Sequence, residues 1–404
     1  SAQAQDTGGV VMTFGLQERL ETTSNLGLDV TNRGRTNQAT TNLSFGISSE
    51  TQTSRLAFDM SGVLRAAQGP GHSGTDFGFD GPKLAFSYAH SGANASLSLK
   101  AHYSDADVEY LRPLENFLDE DGHIVLPEDL ADLTGTGTRR SSGLNAALTW
   151  GNDAPVGFGL SAAVSDLSYR NTTSPGLIDS RRTTLGASMR LDLSEVTKAT
   201  LGLTISRFED EAPLSSPRNT ISFDAGLSQV MTTGTLTGSL SAAKTEDGTK
   251  LGFSVGRDIE LPNGSLTASL GLSRAATGGT SLTGSLGLQH ELPQGQITAQ
   301  LRRGIGVSSD DTDSLTTVLS LGYSQTLSPL SSLSLDLSYA ESTATATDNT
   351  VTNTSFGATY SHALTEDWGL NLGYRQRMRD SDGVGKADSS SVFLSLSRDF
   401  TFRP

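Results

Sequence analysis

Ser265-Leu266-Thr267-Ala268-Ser269-Leu270-Gly271-Leu272-Ser273 sets Leu266, Ala268, Leu270 and Leu272 on every second position, with Thr267, Ser269, Gly271 and Ser273 between them. A period of two places each set on its own face of a β-strand. The next segment repeats the pattern, with Leu282, Leu286 and Leu288 around Thr283, Ser285 and Gly287. The polar face is the more informative one. It holds Gly, Ser and Thr where a sandwich would need large side chains against a second sheet. A barrel in a membrane needs only one apolar face, turned to lipid, and a polar face turned to an aqueous interior.

Outward from this stretch the same alternation recurs. Leu333, Leu335, Leu337 and Tyr339 share a face, and so do Trp368, Leu370, Leu372 and Tyr374. About twenty such segments follow one another, an even number as closed antiparallel barrels require. Their connections take turns in length. Tight ones such as Leu261-Pro262-Asn263-Gly264 and Leu292-Pro293-Gln294-Gly295 supply hairpin geometry. Longer polar ones occupy 24–37, 65–80, 104–139, 171–180, 209–218, 308–313, 343–350 and 379–388. Short periplasmic turns alternating with long extracellular loops make the expected fold an all-β, single closed antiparallel transmembrane β-barrel. Residues 9–402 form it, and 1–8 are a short periplasmic N-terminal segment. Both termini fall on the turn side. Ser1-Ala2-Gln3-Ala4-Gln5 has the small-residue character of the end of a secretory signal.

Composition supports this and excludes rivals. Hydrophobic residues are 35% of the 404, below the range of an ordinary globular core, and net charge is -15. Disorder would scatter the apolar residues, which instead alternate. A β-solenoid would repeat at fixed period, which the alternating connection lengths contradict. No apolar run approaches the roughly 18 residues of a membrane helix. With no Cys, disulfides and thiolate metal sites are ruled out. The acidic balance argues against nucleic acid as a partner.

The last strand, Val392-Phe393-Leu394-Ser395-Leu396-Ser397-Arg398-Asp399-Phe400-Thr401-Phe402, resembles the C-terminal assembly signal of Gram-negative outer-membrane proteins. Phe400 and Phe402 match its alternate aromatics, while Arg403 and Pro404 depart from its usual aromatic end. The resemblance implies the cell outer membrane as location. It also implies the barrel-assembly machinery, outer-membrane lipid and lipopolysaccharide as partners. The opening strand, Thr13-Phe14-Gly15-Leu16-Gln17-Glu18-Arg19-Leu20-Glu21 followed by Asn25, is similar to uncharacterised proteobacterial barrel proteins, some linked to exopolysaccharide systems. Aromatic residues are only 6%, so girdles at the two interfaces would be partial. Arg207, Arg257 and Arg303 read outward and belong near the edges of the apolar band, where their cost is low.

Nothing in the sequence calls for catalysis. The six His fall in no fixed nucleophile constellation, and no phosphate loop, HExxH or EF-hand spacing occurs. The acidic runs at Asp119-Glu120-Asp121 and Asp310-Asp311-Thr312-Asp313 lack calcium-loop spacing and read as solvated loop tips. The expectation is no enzyme, no cofactor and no metal site. Charges of both signs fall on the inward face: Arg19, Lys100, Arg190, Arg302, Arg375 and Arg377, with Asp59, Asp192, Asp224 and Asp336. They either set solute preference in a channel or stiffen the wall as cross-strand pairs. The long loop carries apolar residues in near-helical rhythm and the acids Glu109, Glu115, Asp119, Glu120, Asp121, Glu128 and Asp129. The expectation is a partial cap or constriction that favours cations. Since sixteen to eighteen strands already enclose an aqueous channel, the function read from sequence is a porin-like channel passing small polar solutes. The alternative is a structural barrel anchoring a surface layer, a polysaccharide-export machine or another partner complex.

Overall fold

The computed structural model describes residues 9–70, 76–118, 124–130, 132–212, 215–307, 312–345 and 347–403. Residues 1–8 and the acids Asp119, Glu120, Asp121, Asp310 and Asp311 lie outside the described residues.

Among the described residues the chain runs through twenty strands. They are β1 Val10–Thr23, β2 Thr36–Glu50, β3 Ser54–Gln68, β4 Asp76–Ser91, β5 Ala95–Asp107, β6 Thr138–Trp150, β7 Val156–Arg170, β8 Ser180–Asp192, β9 Thr197–Asp210 and β10 Arg218–Met231. The second half contains β11 Gly234–Lys244, β12 Thr249–Leu261, β13 Gly264–Arg274, β14 Thr280–Leu292, β15 Gly295–Val307, β16 Asp313–Ser328, β17 Ser331–Ala344, β18 Thr350–Ala363, β19 Trp368–Ser381 and β20 Gly385–Phe402. Each pairs antiparallel with its chain neighbours, as in β1 with β2 and β19 with β20. The sheet closes where β1 meets β20, from Met12↔Phe402 to Thr23↔Ser391. Phe14 and Phe400 meet across this seam, their rings tilted by 42° with centroids 5.9 Å apart.

Alternation sorts the side chains. Leu203 and Ile205 of β9, Phe253 and Val255 of β12, and Leu270 and Leu272 of β13 stand exposed on the outside. Side chains this apolar stay exposed on a stable surface only against lipid. Tyrosines mark where the band ends. Tyr103, Tyr323, Tyr339 and Tyr374 each donate their hydroxyl to a polar residue two positions along the same face: Asp105, Gln325, Glu341 and Gln376. The outward arginines sit toward strand ends. Arg207 pairs with Glu209 at 2.7 Å, Arg257 reaches Thr233 in a turn, and Arg303 bonds Thr317.

Several connections are shorter than the sequence pattern suggests, because the hairpins extend past the apolar band. The largest change is at 65–80. There β3 and β4 continue pairing up to Ala67↔Asp76 through a bulge opposite Ser61 and Val63. Gly81 sits at φ +62 in that bulge. Glycine takes this conformation without strain. The bulge flips the parity of β4, so Phe79 and Phe77 join the outer face beside Gly62 and Ala66, and Asp80 turns to pair with Arg65.

Leu203→Arg, at the middle of the outer face of β9, is expected to destabilise the barrel by about 2–4 kcal/mol. Arg207→Leu, nearer the end of the same strand, is expected to change stability by less than about 1 kcal/mol. Denaturant unfolding in lipid vesicles checks both.

Candidate functional site

The inward face of β19 is basic. Leu372, Tyr374 and Met378 are exposed on the outside, which leaves Gly373, Arg375, Arg377 and Arg379 facing in. On β20 the same alternation puts Val392 and Leu394 outside and buries Phe393 inside, 5% exposed. Gly373 lies opposite Phe393 in register, and the ring occupies the space a Cβ at 373 would need. β1 contributes Arg19 and Glu21. The Arg19 guanidinium lies 3.7 Å from the Phe393 centroid and Arg375 lies 5.9 Å from it. Arg19 pairs with Glu21 at 2.9 Å, and Thr23 and Gln38 donate to that carboxylate. A second ring repeats the arrangement. Phe208 of β9 is 2% exposed, and Arg182 of β8 and Arg218 of β10 each stand 4.8 Å from its centroid. Both sites stack planar guanidiniums on an aromatic face, and carboxylates already engage three of them: Glu21 holds Arg19, Glu128 holds Arg182 and Asp210 holds Arg218 at 2.6 Å.

The segment between β5 and β6 folds against these walls. It opens with the one-turn helix α1, Val108–Leu111, and a 3-10 turn, Leu114–Asn116. Val108 and Leu133 bury themselves with Leu177 from the β7–β8 loop, against Phe117 and Tyr169. Leu114 and Ile124 pack on Ala340 of β17, with Leu126 and Val318 of β16 alongside. Arg379 donates to the carbonyls of Leu133 at 3.1 Å and Leu130 at 3.5 Å. Arg112, 3% exposed, donates to the Gly27 and Gly135 carbonyls and to Asp29 at 3.0 Å, tying the segment to the β1–β2 loop. Arg65 stacks on Tyr110, whose phenol is pushed above its ordinary pKa by burial. The segment therefore leaves β5 and reaches β16, β17 and β19 across the sheet.

Asp129 is the most completely enclosed charge of this segment at 1% exposure. Arg139 of β6 gives it two hydrogen bonds, at 2.7 and 2.9 Å, and the Tyr169 hydroxyl a third at 2.5 Å. Such forked, charge-assisted bonds offset the cost of burying a carboxylate. Its neighbour Glu128 pairs with Arg182 at 3.1 Å, Glu109 lies in α1, and Glu115 lies in the 3-10 turn.

Of the inward charges read from sequence, the structure gathers Arg19 and Arg375 over Phe393, and Arg377 follows on the same face of β19, opposite Ser389. The rest are spread around the wall. Arg190 caps the β6–β7 turn through the carbonyls of Gly151, Asn152 and Ala154 and stands 3.4 Å from Asp192. Asp336 overlies Gly357, Asp59 lies beside Gly46, and Asp224 beside Gly202. Lys100 pairs in register with Ser87 and Asn145, and Arg302 with Ser285 and Val318. Phe400 and Phe402 face outward at the β1–β20 seam, with Arg398 4.5 Å over the Phe400 ring. Sequence reading missed Phe393, Phe208, Arg139, Arg112 and Arg379. For the two phenylalanines a signal existed, since a large aromatic at an inward position interrupts a face of Gly and Ser.

An outer face of this kind on a closed twenty-stranded sheet defines a Gram-negative outer-membrane β-barrel. No family profile matches the chain, and no curated protein sequence does. Solved structures do. The siderophore receptor PirA from Pseudomonas aeruginosa aligns over 98% of this chain and 81% of its own, with TM-score 0.52 and 12% identity. A mutant of the ferric enterobactin receptor PfeA from the same organism aligns over 98% and 81%, with TM-score 0.54 and 11% identity. The FrpB iron transporter from Neisseria meningitidis aligns over 96% and 81%, with TM-score 0.50 and 12% identity. At such identities the likeness is one of fold.

The comparisons correct the functional expectation. The similar structures named here, a copper transporter among them, are receptors and transporters, and this overturns both the cation-favouring porin-like channel and the anchoring barrel. The physical reason lies inside the sheet. Strand number alone implies an open lumen, but the 108–137 segment packs on the inner wall. The likeness of the opening strand to exopolysaccharide-linked proteins has no counterpart among these structures.

Asp129→Ala leaves Arg139 buried without its carboxylate, a loss of about 3–5 kcal/mol for a buried pair. Limited proteolysis within 108–137 is expected to quicken at least tenfold while the folded barrel keeps its gel mobility.

Proposed function

We propose that this chain is the barrel of an outer-membrane uptake receptor, which takes up a small anionic ligand such as a metal chelate at its loop end. The observation that carries this reading is the folded 108–137 segment bridging β5 to β16, β17 and β19. A pore with such a segment packed inside it passes little by simple diffusion, and a ligand must move the segment to go through. In this reading the segment is a partial cap or constriction. Arg19, Arg375, Arg377, Asp59, Lys100, Arg190, Asp192, Asp224, Arg302 and Asp336 line the path, and Glu109, Glu115, Asp119, Glu120, Asp121, Glu128 and Asp129 belong to the gate. The ring-stacked arginines favour an anion, and three proteins of similar fold are named for a siderophore, for ferric enterobactin and for copper. No chemistry on the ligand is required of the barrel. Phe400 and Phe402 serve as the signal read by the barrel-assembly machinery.

In planar bilayers the intact protein is expected to show little steady conductance, and deletion of residues 108–133 to open a large one. A steady open pore in the intact protein would sink the gated reading. Arg375→Gln with Arg377→Gln is expected to weaken binding of an anionic ferric chelate at least about tenfold, since hydrogen bonds to charged groups carry about 1.5–3 kcal/mol each. Equilibrium binding to purified barrels measures it, and unchanged affinity would remove these arginines from the ligand path.

A further inference from the structure

Near the loop end of four successive strands the outward face carries an arginine: Arg140 on β6, Arg170 on β7, Arg181 on β8 and Arg207 on β9, with Thr138 beyond Arg140 and Glu209 beyond Arg207. Below them the same four strands, with Leu97 of β5, hold a shallow groove of about 500 Å³. Small side chains at Ala146, Ala162 and Ala187 make its floor, and Leu160, Leu185 and Leu203 make its rims. The register joins the two features. Ala146 pairs with Ala162 and Leu160 with Ala187, while Asp166 pairs with Arg181 and Thr183 with Arg207 further up. From Ala162 to Asp166 the rise is about 13 Å.

We infer that this face binds one molecule of lipopolysaccharide from the outer leaflet, its acyl chains in the groove and its phosphates on the arginine rim. The groove opens on the lipid-facing band, so acyl chain is the solvent it already meets. The rim lies at the loop end, the side of the outer leaflet. Four adjacent strands span about 15–20 Å at the usual spacing, room for several chains side by side and for more than one phosphate. A lipid with two chains and one phosphate would leave half of the rim unused. The rim is not free of acids. Arg140 pairs with Asp105 at 2.9 Å, Arg181 with Asp166 at 3.5 Å and Arg207 with Glu209 at 2.7 Å. The last two pairs are roughly half exposed and hold weakly. Arg170 is exposed and makes no ion pair among the described residues. Phosphate offers each guanidinium a forked, charge-assisted partner.

The test uses the full barrel purified in mild detergent from outer membranes. Bound lipid is counted by native mass spectrometry, and purified lipopolysaccharide is titrated against stripped protein. The intact protein is expected to keep about one molecule through gel filtration. The fourfold variant Arg140→Gln, Arg170→Gln, Arg181→Gln, Arg207→Gln is expected to lose about six hundredfold in affinity, taking roughly fivefold per arginine near a charged membrane surface. Ala162→Trp, which fills the groove and leaves the rim intact, is expected to lower retention as well. Faster gel mobility before heating than after confirms that each variant is folded. Unchanged retention in the fourfold variant overturns the proposal, and so does equal competition by a two-chain, one-phosphate phospholipid.

Discussion

No water reaches the backbone inside a bilayer, so every strand must find a partner on both sides, and the sheet must meet itself. In this chain the meeting is the antiparallel pairing of β1 with β20. The rest of the architecture follows from it. An even run of hairpins brings both terminal strands to the same end, and alternation gives every strand one lipid face and one interior face. Half of each strand is then free of any need for apolar side chains. That is why a folded membrane protein can carry only 35% hydrophobic residues.

A polar interior poses its own difficulty. A segment entering it finds Gly, Ser and Thr, and gains little by contact. The 108–137 segment therefore brings its own apolar core, Val108 and Leu133 with Leu177, and uses the few inward apolar residues on the wall, Ala340 and Val318. The remaining hold is electrostatic. Arg112, Asp129 and Arg379 are all nearly sealed from solvent, and each has its partners: a carboxylate and two carbonyls, an arginine and a tyrosine, and two carbonyls. Removing a partner from such a group costs far more than removing an exposed pair. The same chain thus uses arginine in two regimes: sealed and structural inside, wet and loosely paired on the outer rim.

Strands were legible because period-two alternation is a local property, readable within about ten residues. All twenty strands overlap the segments the pattern marks. The 65–80 stretch was not legible, because the Gly81 bulge inverts the alternation midway and makes a strand look like a loop. The site was legible only in part. Arg19, Arg375 and Arg377 could be placed on the inward face by counting, but not beside one another, since β1 and β19 are brought together only by closure. Arg379 and Leu133 lie 246 residues apart in the chain. Nothing local announces their bond. The porin-like reading failed for the same reason: strand pattern specifies the wall of a barrel and is silent about what folds inside it.

The two ends of the interior are unequal. Thr23, Asn25, Thr36, Ala67, Phe208, Asp313, Ser314, Ala387 and Ser389 are buried, and all sit at or near strand ends on the loop side. The turn side has no comparable gathering among the described residues; its inward positions are mostly exposed or half-buried Gly, Ser, Thr and scattered charges. The ring-stacked arginines and the folded segment therefore stand at the loop end, while the described inward positions on the turn side are polar. In the uptake reading proposed above, selection falls to the loop end, where the buried groups gather. In that reading, passage requires that the apolar contacts at Ala340 and the ties of Arg112 and Arg379 be broken together, since each alone leaves the segment anchored at the others. A ligand that binds between the basic wall and the segment can supply that free energy by taking over the arginines' partners. A solute with no affinity for the arginines cannot, and this separates uptake by such a barrel from diffusion through an open one.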